Sequence, residues 1–142
     1  MWLILCLTLL FSAGPPAQEE LAGADNVELF DTNRQKVVRT FPNTRQFQQQ
    51  AQRILDSVSG PVQELNPSLE NAMIAKIPLV PPKKLVHRPS RVDEEIVEMF
   101  VVMPKKGGRS PWLLMHTREY KTIAMEFAEQ TGALRKMLGL SE

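Results

Sequence analysis

Residues 95–117 read EIVEMFVVMPKKGGRSPWLLMHT, two apolar runs around a polar connection rich in Gly and Pro. Ile96 to Met103 is interrupted only by Glu98, and Trp112 to Met115 follows after Pro111. Short runs of β-branched, aromatic and Met residues on either side of such a connection read as a β-hairpin. Length selects strand over helix, because the first run stops at Pro104, a residue no helix interior tolerates. A run apolar on both faces is expected of a strand central to its sheet and covered on each side.

Outward from this hairpin the chain alternates short patterned segments with turn formers. Downstream, Tyr120 to Phe127 is a further strand, with Ile123 and Met125 alternating against Lys121, Thr122 and Glu126. Leu134, Met137 and Leu138 make a short amphipathic helix closed by Gly139. Upstream, Lys83 to Arg91 is a basic, proline-flanked connector. Ala72 to Val80 reads as a strand that Pro78 places at a sheet edge, or ends there, since proline lacks the ladder donor. Val62 to Leu65 is a short strand before the turn Asn66-Pro67-Ser68. The clearest helix starts after Pro42, with Asn43 as cap and Gln46 in capping-box position. Phe47, Ala51, Ile54, Leu55 and Val58 give it one apolar stripe, and Gly60-Pro61 stops it. Val27 to Phe30 and Val37 to Phe41 form a hairpin around Asp31 to Gln35. The order predicts an α+β domain: an antiparallel sheet of about four to six strands, one main amphipathic helix across a face and a short C-terminal helix.

The 142 residues suit one domain, and 43% hydrophobic with 23% charged residues excludes a disordered chain. A formal net charge of +1, with no aromatics interleaved among the basic residues, does not point to nucleic acid. Trp2 to Ala13 has the length of a signal-peptide core and is too short to span a bilayer. No Lys or Arg precedes Arg34, so the usual positive start of such a leader is missing. Cleavage follows Ala24 at an A-x-A site or Ala17 nearer the apolar core. We read 1–24 as the leader and 25–142 as a single domain, secreted or cell-envelope associated, with no spanning segment and a charge of about +3. The sole cysteine, Cys6, lies in the leader, so no internal disulfide forms.

Glu28-Leu-Phe-Asp, Lys36-Val-Val-Arg-Thr-Phe-Pro-Asn43 and the helix after it, Asn66-Pro67 and Ala75-Lys-Ile-Pro-Leu-Val-Pro-Pro82 resemble a set of small secreted proteins of spore-forming Gram-positive bacteria. The resemblance covers most of the mature chain. It implies export and a single domain, and it carries over no functional residues.

The chemistry in the sequence is sparse. His87 and His116 have no metal-ligand spacing, no nucleophile motif occurs, and Gly107-Gly108 joins two strands rather than cradling a phosphate. No catalytic residue, metal ligand or cofactor follows. Asp93, Glu94 and Glu95 read as a solvated run rather than an acid–base pair. Trp112 reads as a core residue of its strand rather than a stacking platform. Two basic groups remain: Lys83, Lys84, Arg88 and Arg91 in the connector, and Lys105, Lys106 and Arg109 at the hairpin tip. The expectation is a non-enzymatic binding or regulatory protein of the bacterial envelope. Its partner is an anionic envelope polymer held by these residues, or a protein strand added at Ala72–Val80. The alternative is an envelope hydrolase, with His116 or His87 facing a cleft beside Glu98, Glu119 or Asp93.

Overall fold

The structure, a computed structural model, describes Leu21 and residues 23–140. The apolar leader, Trp2 to Ala13, lies outside the described residues. The chain forms β1 (Val27–Asp31), β2 (Lys36–Phe41), α1 (Arg45–Asp56), β3 (Val58–Pro61), β4 (Ala72–His87), β5 (Val92–Pro104), β6 (Trp112–Thr117), β7 (Thr122–Phe127) and α2 (Gly132–Met137), with a 3-10 turn at Arg88–Ser90. The strands build one sheet in the order β2-β1-β4-β5-β6-β7-β3, antiparallel throughout.

This overturns the α+β expectation. The protein is mainly β, with seven strands instead of four to six and two small helices of 12 and six residues. Two stretches account for the difference. Lys83 to His87, read as a connector, extends β4 to 16 residues and pairs with Val92 to Ile96. Of that arm only Leu85 is buried, so no apolar run marks it. Val58, assigned to the helix stripe, instead opens β3, a four-residue edge strand in which Pro61 stands opposite Met125 and its missing N–H is tolerated at the sheet edge. The strand at Ala72–Val80 is not an edge either, since β4 lies between β1 and β5. Its Pro78 is tolerated because the ladder breaks there. Pro78 faces Glu98 and Lys83 faces Ile96, so β4 advances five residues while β5 advances two.

The broken ladder leaves backbone groups that side chains satisfy. The Pro78 carbonyl accepts from Asn43 Nδ2 at 3.0 Å and Gln48 Nε2 at 2.8 Å, while Gln48 Oε1 accepts from the Val80 amide at 3.1 Å. Gln48 thereby stands in for a strand at the kink, and it is buried. Asn43, engaged here, does not cap α1; Thr44 does, its Oγ1 accepting from the Phe47 amide.

The kink curls the sheet. β3 and β4 stand four places apart in strand order, roughly 19 Å if the sheet were flat. They nevertheless touch, and β3 also meets the 3-10 turn. The hollow holds the core: Val27 and Leu29 of β1, Ala75 and Ile77 of β4, Met99, Val101 and Met103 of β5, and Leu113, Met115 and Met125 beyond. α1 fills the hollow with Phe47, Ala51, Ile54 and Leu55, and α2 adds Leu134 and Leu138. On the outer face a second, smaller cluster gathers Ala72, Val102 and Trp112 under Val62.

One inserted residue sets which side chains face out. Ile96 pairs with Thr117 and Glu98 with His116, so Val97 is an extra residue on β5. Were the same residues paired as a regular strand, without the bulge, Glu98 would share the inner face with Ile96. With it, Met99, Val101 and Met103 turn inward and Glu98, Phe100 and Val102 outward.

Candidate functional site

The seven basic residues expected to bind a partner fall into two groups at opposite ends of β5. Its 13 residues span on the order of 40 Å, so the groups do not form one surface. Three of the seven are engaged by carboxylates. Lys84 Nζ lies 3.3 Å from Asp93 Oδ1, and Lys105 Nζ donates to Asp31 Oδ1 at 2.7 Å. Arg109 forks onto Glu126 at 2.7 and 2.9 Å and reaches Glu64 at 3.1 Å. That pairing, led by Glu126, raises the Arg109 pKa further above its already high ordinary value. Arg109 is therefore a clamp joining the β5–β6 connection to β7 and to the segment after β3. Lys83, Arg88, Arg91 and Lys106 make no ion pair among the described residues. Of these four, Arg88 and Arg91 sit at the tip of the β4–β5 hairpin and Lys83 at the base of the same arm, opposite Ile96.

The acidic run is tied off by cations. Asp93 meets Lys84, Glu94 accepts from Lys121 Nζ at 2.8 Å, and Glu95 accepts from Arg118 at 2.9 Å. The Glu94 contact raises the Lys121 pKa, with Glu119 adding a smaller effect. Among the described residues no group of three or more His, Cys, Asp or Glu is placed to hold a metal ion. Trp112 is 1% exposed and forms the outer cluster.

One of the His–carboxylate combinations expected of a hydrolase, His116 with Glu98, does come together, on the outer face. Glu98, His116 and Thr122 are in register on β5, β6 and β7. Glu98 Oε1 lies 2.6 Å from His116 Nδ1, and Lys76 Nζ approaches Glu98 Oε2 at 3.7 Å from β4. With the carboxylate as acceptor, Nδ1 carries the ring hydrogen and Nε2 of the neutral ring is an acceptor. The Phe100 ring meets the imidazole edge-on at 5.1 Å between centroids, so the ring is held from two sides. His87 takes no part, since its Nδ1 bonds Ser90 Oγ at 2.8 Å within the 3-10 turn.

Beside this pair the β6–β7 turn is fastened by three short-range bonds. The Thr117 amide donates to the Lys121 carbonyl, the Lys121 amide to Thr117 Oγ1, and the Tyr120 amide to the Thr117 carbonyl. At the turn's end Tyr120 adopts φ +64° and is 97% exposed. Val97, Glu98, His116, Thr117, Tyr120 and Thr122 line a concavity of about 550 Å³, with Arg118 at its rim. Sequence reading placed Tyr120 in a strand; the signal available was a bulky aromatic where a tight turn favours Gly or Asn.

Among the described residues no helix is long and apolar enough to cross a membrane. No family model, curated protein or solved structure matches the chain.

Proposed function

We propose that this is an exported, non-enzymatic binding protein of the bacterial cell envelope that holds an anionic polymer at the tip of its β4–β5 hairpin. The observation that carries the reading is charge left over in one place. Arg88 and Arg91 at that tip and Lys83, roughly 13 Å down the same arm, lack carboxylate partners, while Lys84, Lys105 and Arg109 are paired. Uncompensated exposed cations attract a polyanion with a strength that falls as salt rises. The protein strand-addition route is dropped, because Ala72–Val80 is interior and both true edges are blunted: β2 carries Lys36, Arg39 and a bulge, and β3 is four residues long with Pro61.

Retention on a polyphosphate resin tests the reading. Wild-type protein is expected to bind and to elute with salt. A Lys83→Glu, Arg88→Glu, Arg91→Glu triple variant is expected to flow through, and Lys106→Glu at the other end to behave as wild type. Equal retention of the triple variant, or retention indifferent to salt, overturns it.

The second reading is a hydrolase in which His116, oriented by Glu98, activates water. The 2.6 Å contact favours it. Its signature is release of fragments from purified cell walls by the wild-type protein and not by His116→Ala, with polyphosphate retention unchanged.

A further inference from the structure

We propose that the outer-face concavity is a binding site for a neutral sugar ring, stacked on Tyr120 and hydrogen-bonded to His116 and Glu98. The site is separate from the basic tip.

The first observation is the cost and placement of Tyr120. A left-handed backbone disfavours any residue with a Cβ, more so a bulky one, and burial offers nothing back at 97% exposure. The same backbone solution appears at Gln35 in the β1–β2 turn and at Arg91 after the 3-10 turn. Those two are polar residues at home in water. Tyr120, by contrast, brings an aromatic side chain to the lining of a concavity, and the turn bonds and the Lys121–Glu94 pair hold its backbone there.

The second observation is the polar floor. Glu98 is on this face because the strand bulges at Val97, and His116 is fixed by Glu98 on one atom and Phe100 on its ring. The floor therefore presents fixed acceptors, His116 Nε2 and the Glu98 carboxylate, with the Thr122 hydroxyl in line on the next strand. A ligand matching them carries several hydroxyl donors on one ring.

The ligand class follows by exclusion. The volume lies within the roughly 300–1,000 Å³ of small-molecule sites. The hollow is open and floored by polar groups, which disfavours a wholly apolar ligand. Glu98 disfavours an anion at the floor, and Lys76 beside it with Arg118 at the rim disfavours a cation. A neutral ring with an apolar face for Tyr120 and an edge of hydroxyls for the floor satisfies each constraint. One aromatic wall and an open site give weak binding, with dissociation constants on the order of 1 mM.

The test is amide chemical-shift mapping of the full mature chain titrated with cellotriose, maltotriose or the trimer of N-acetylglucosamine. At least one is expected to shift Val97, His116, Thr117 and Thr122 saturably and independently of salt. Tyr120→Gly keeps the turn conformation, so it folds, and it is expected to weaken binding by about tenfold or more. Gln35→Gly, the same backbone change at the β1–β2 turn, is expected to bind as wild type. No saturable shift with any of the three, or shifts undiminished in Tyr120→Gly, overturns the proposal. So does binding confined to acidic saccharides and lost with salt, which moves the contact to the basic tip.

Discussion

At the residue scale, two side chains separate stability from binding. Tyr120→Gly removes a left-handed Tyr from a turn that glycine fits without strain. We expect it to raise stability by about 0.5–1 kcal/mol in urea unfolding even as it removes the proposed aromatic wall. A neutral or lower stability would mean that the ring packs in a way the exposure does not show. Asp31 works in the opposite sense. The Lys105 ammonium, and secondarily the Asn33 amide at 2.9 Å, hold its carboxyl below the ordinary value of 3.8, against the effect of burial. A carboxyl depressed in the folded state stabilises fully above its unfolded pKa, and that contribution fades as pH falls through the folded one. Asp31→Asn is therefore expected to be less stable than wild type near neutral pH, the gap closing as pH drops below about 3.8. Urea midpoints across a pH series measure this, and a gap constant with pH would rule out the linkage.

At the element scale, what could be read from sequence was the pattern inside each strand, and what could not was the pairing between them. The β5–β6 hairpin and the β7 alternation were legible because apolar residues there are contiguous or alternate cleanly. The outer arm of β4 was not, because Lys84 and Val86 face solvent, the half-buried Lys83 is polar, and only Leu85 reports burial. The Glu98–His116 pair was named from sequence only as one of several His–carboxylate combinations, and its register was not legible: β5 is apolar on both faces, so nothing in its pattern reveals the bulge at Val97. Gln48 illustrates the same limit, since a polar residue on a helix reads as solvent-facing and here closes the β4 kink. Gln48→Leu keeps the volume but leaves the Val80 amide unpaired and takes one donor from the Pro78 carbonyl. It is expected to cost about 1–3 kcal/mol in urea unfolding, where a surface glutamine would show nothing.

At the scale of the whole molecule, the helices are fillers of a curled sheet. Leu134 is fully buried and sits in one core cluster with α1 and the inner faces of five strands. Leu134→Ala is expected to cost about 2–5 kcal/mol in thermal or urea unfolding. A loss under 1 kcal/mol would show α2 to be loosely attached. The described chain also reaches back before the first strand, where the Leu21 amide donates to the Asn43 carbonyl at 3.0 Å. A leader removed after Ala17 keeps that bond and one removed after Ala24 loses it, so the N-terminal sequence of exported protein bears on the fold as well as on export. The insertion at Val97 has a further consequence for how such a chain changes over generations. Length variation is harmless in the exposed stretch between β3 and β4, and loss of the Val97 codon would turn the bulge into a regular ladder with Glu98 still facing out, whereas one codon gained or lost between Met99 and Met103 would exchange core for surface beyond it. Related sequences should therefore differ in length between β3 and β4, with or without the bulge residue, and keep a fixed count of residues from Glu98 to Met103.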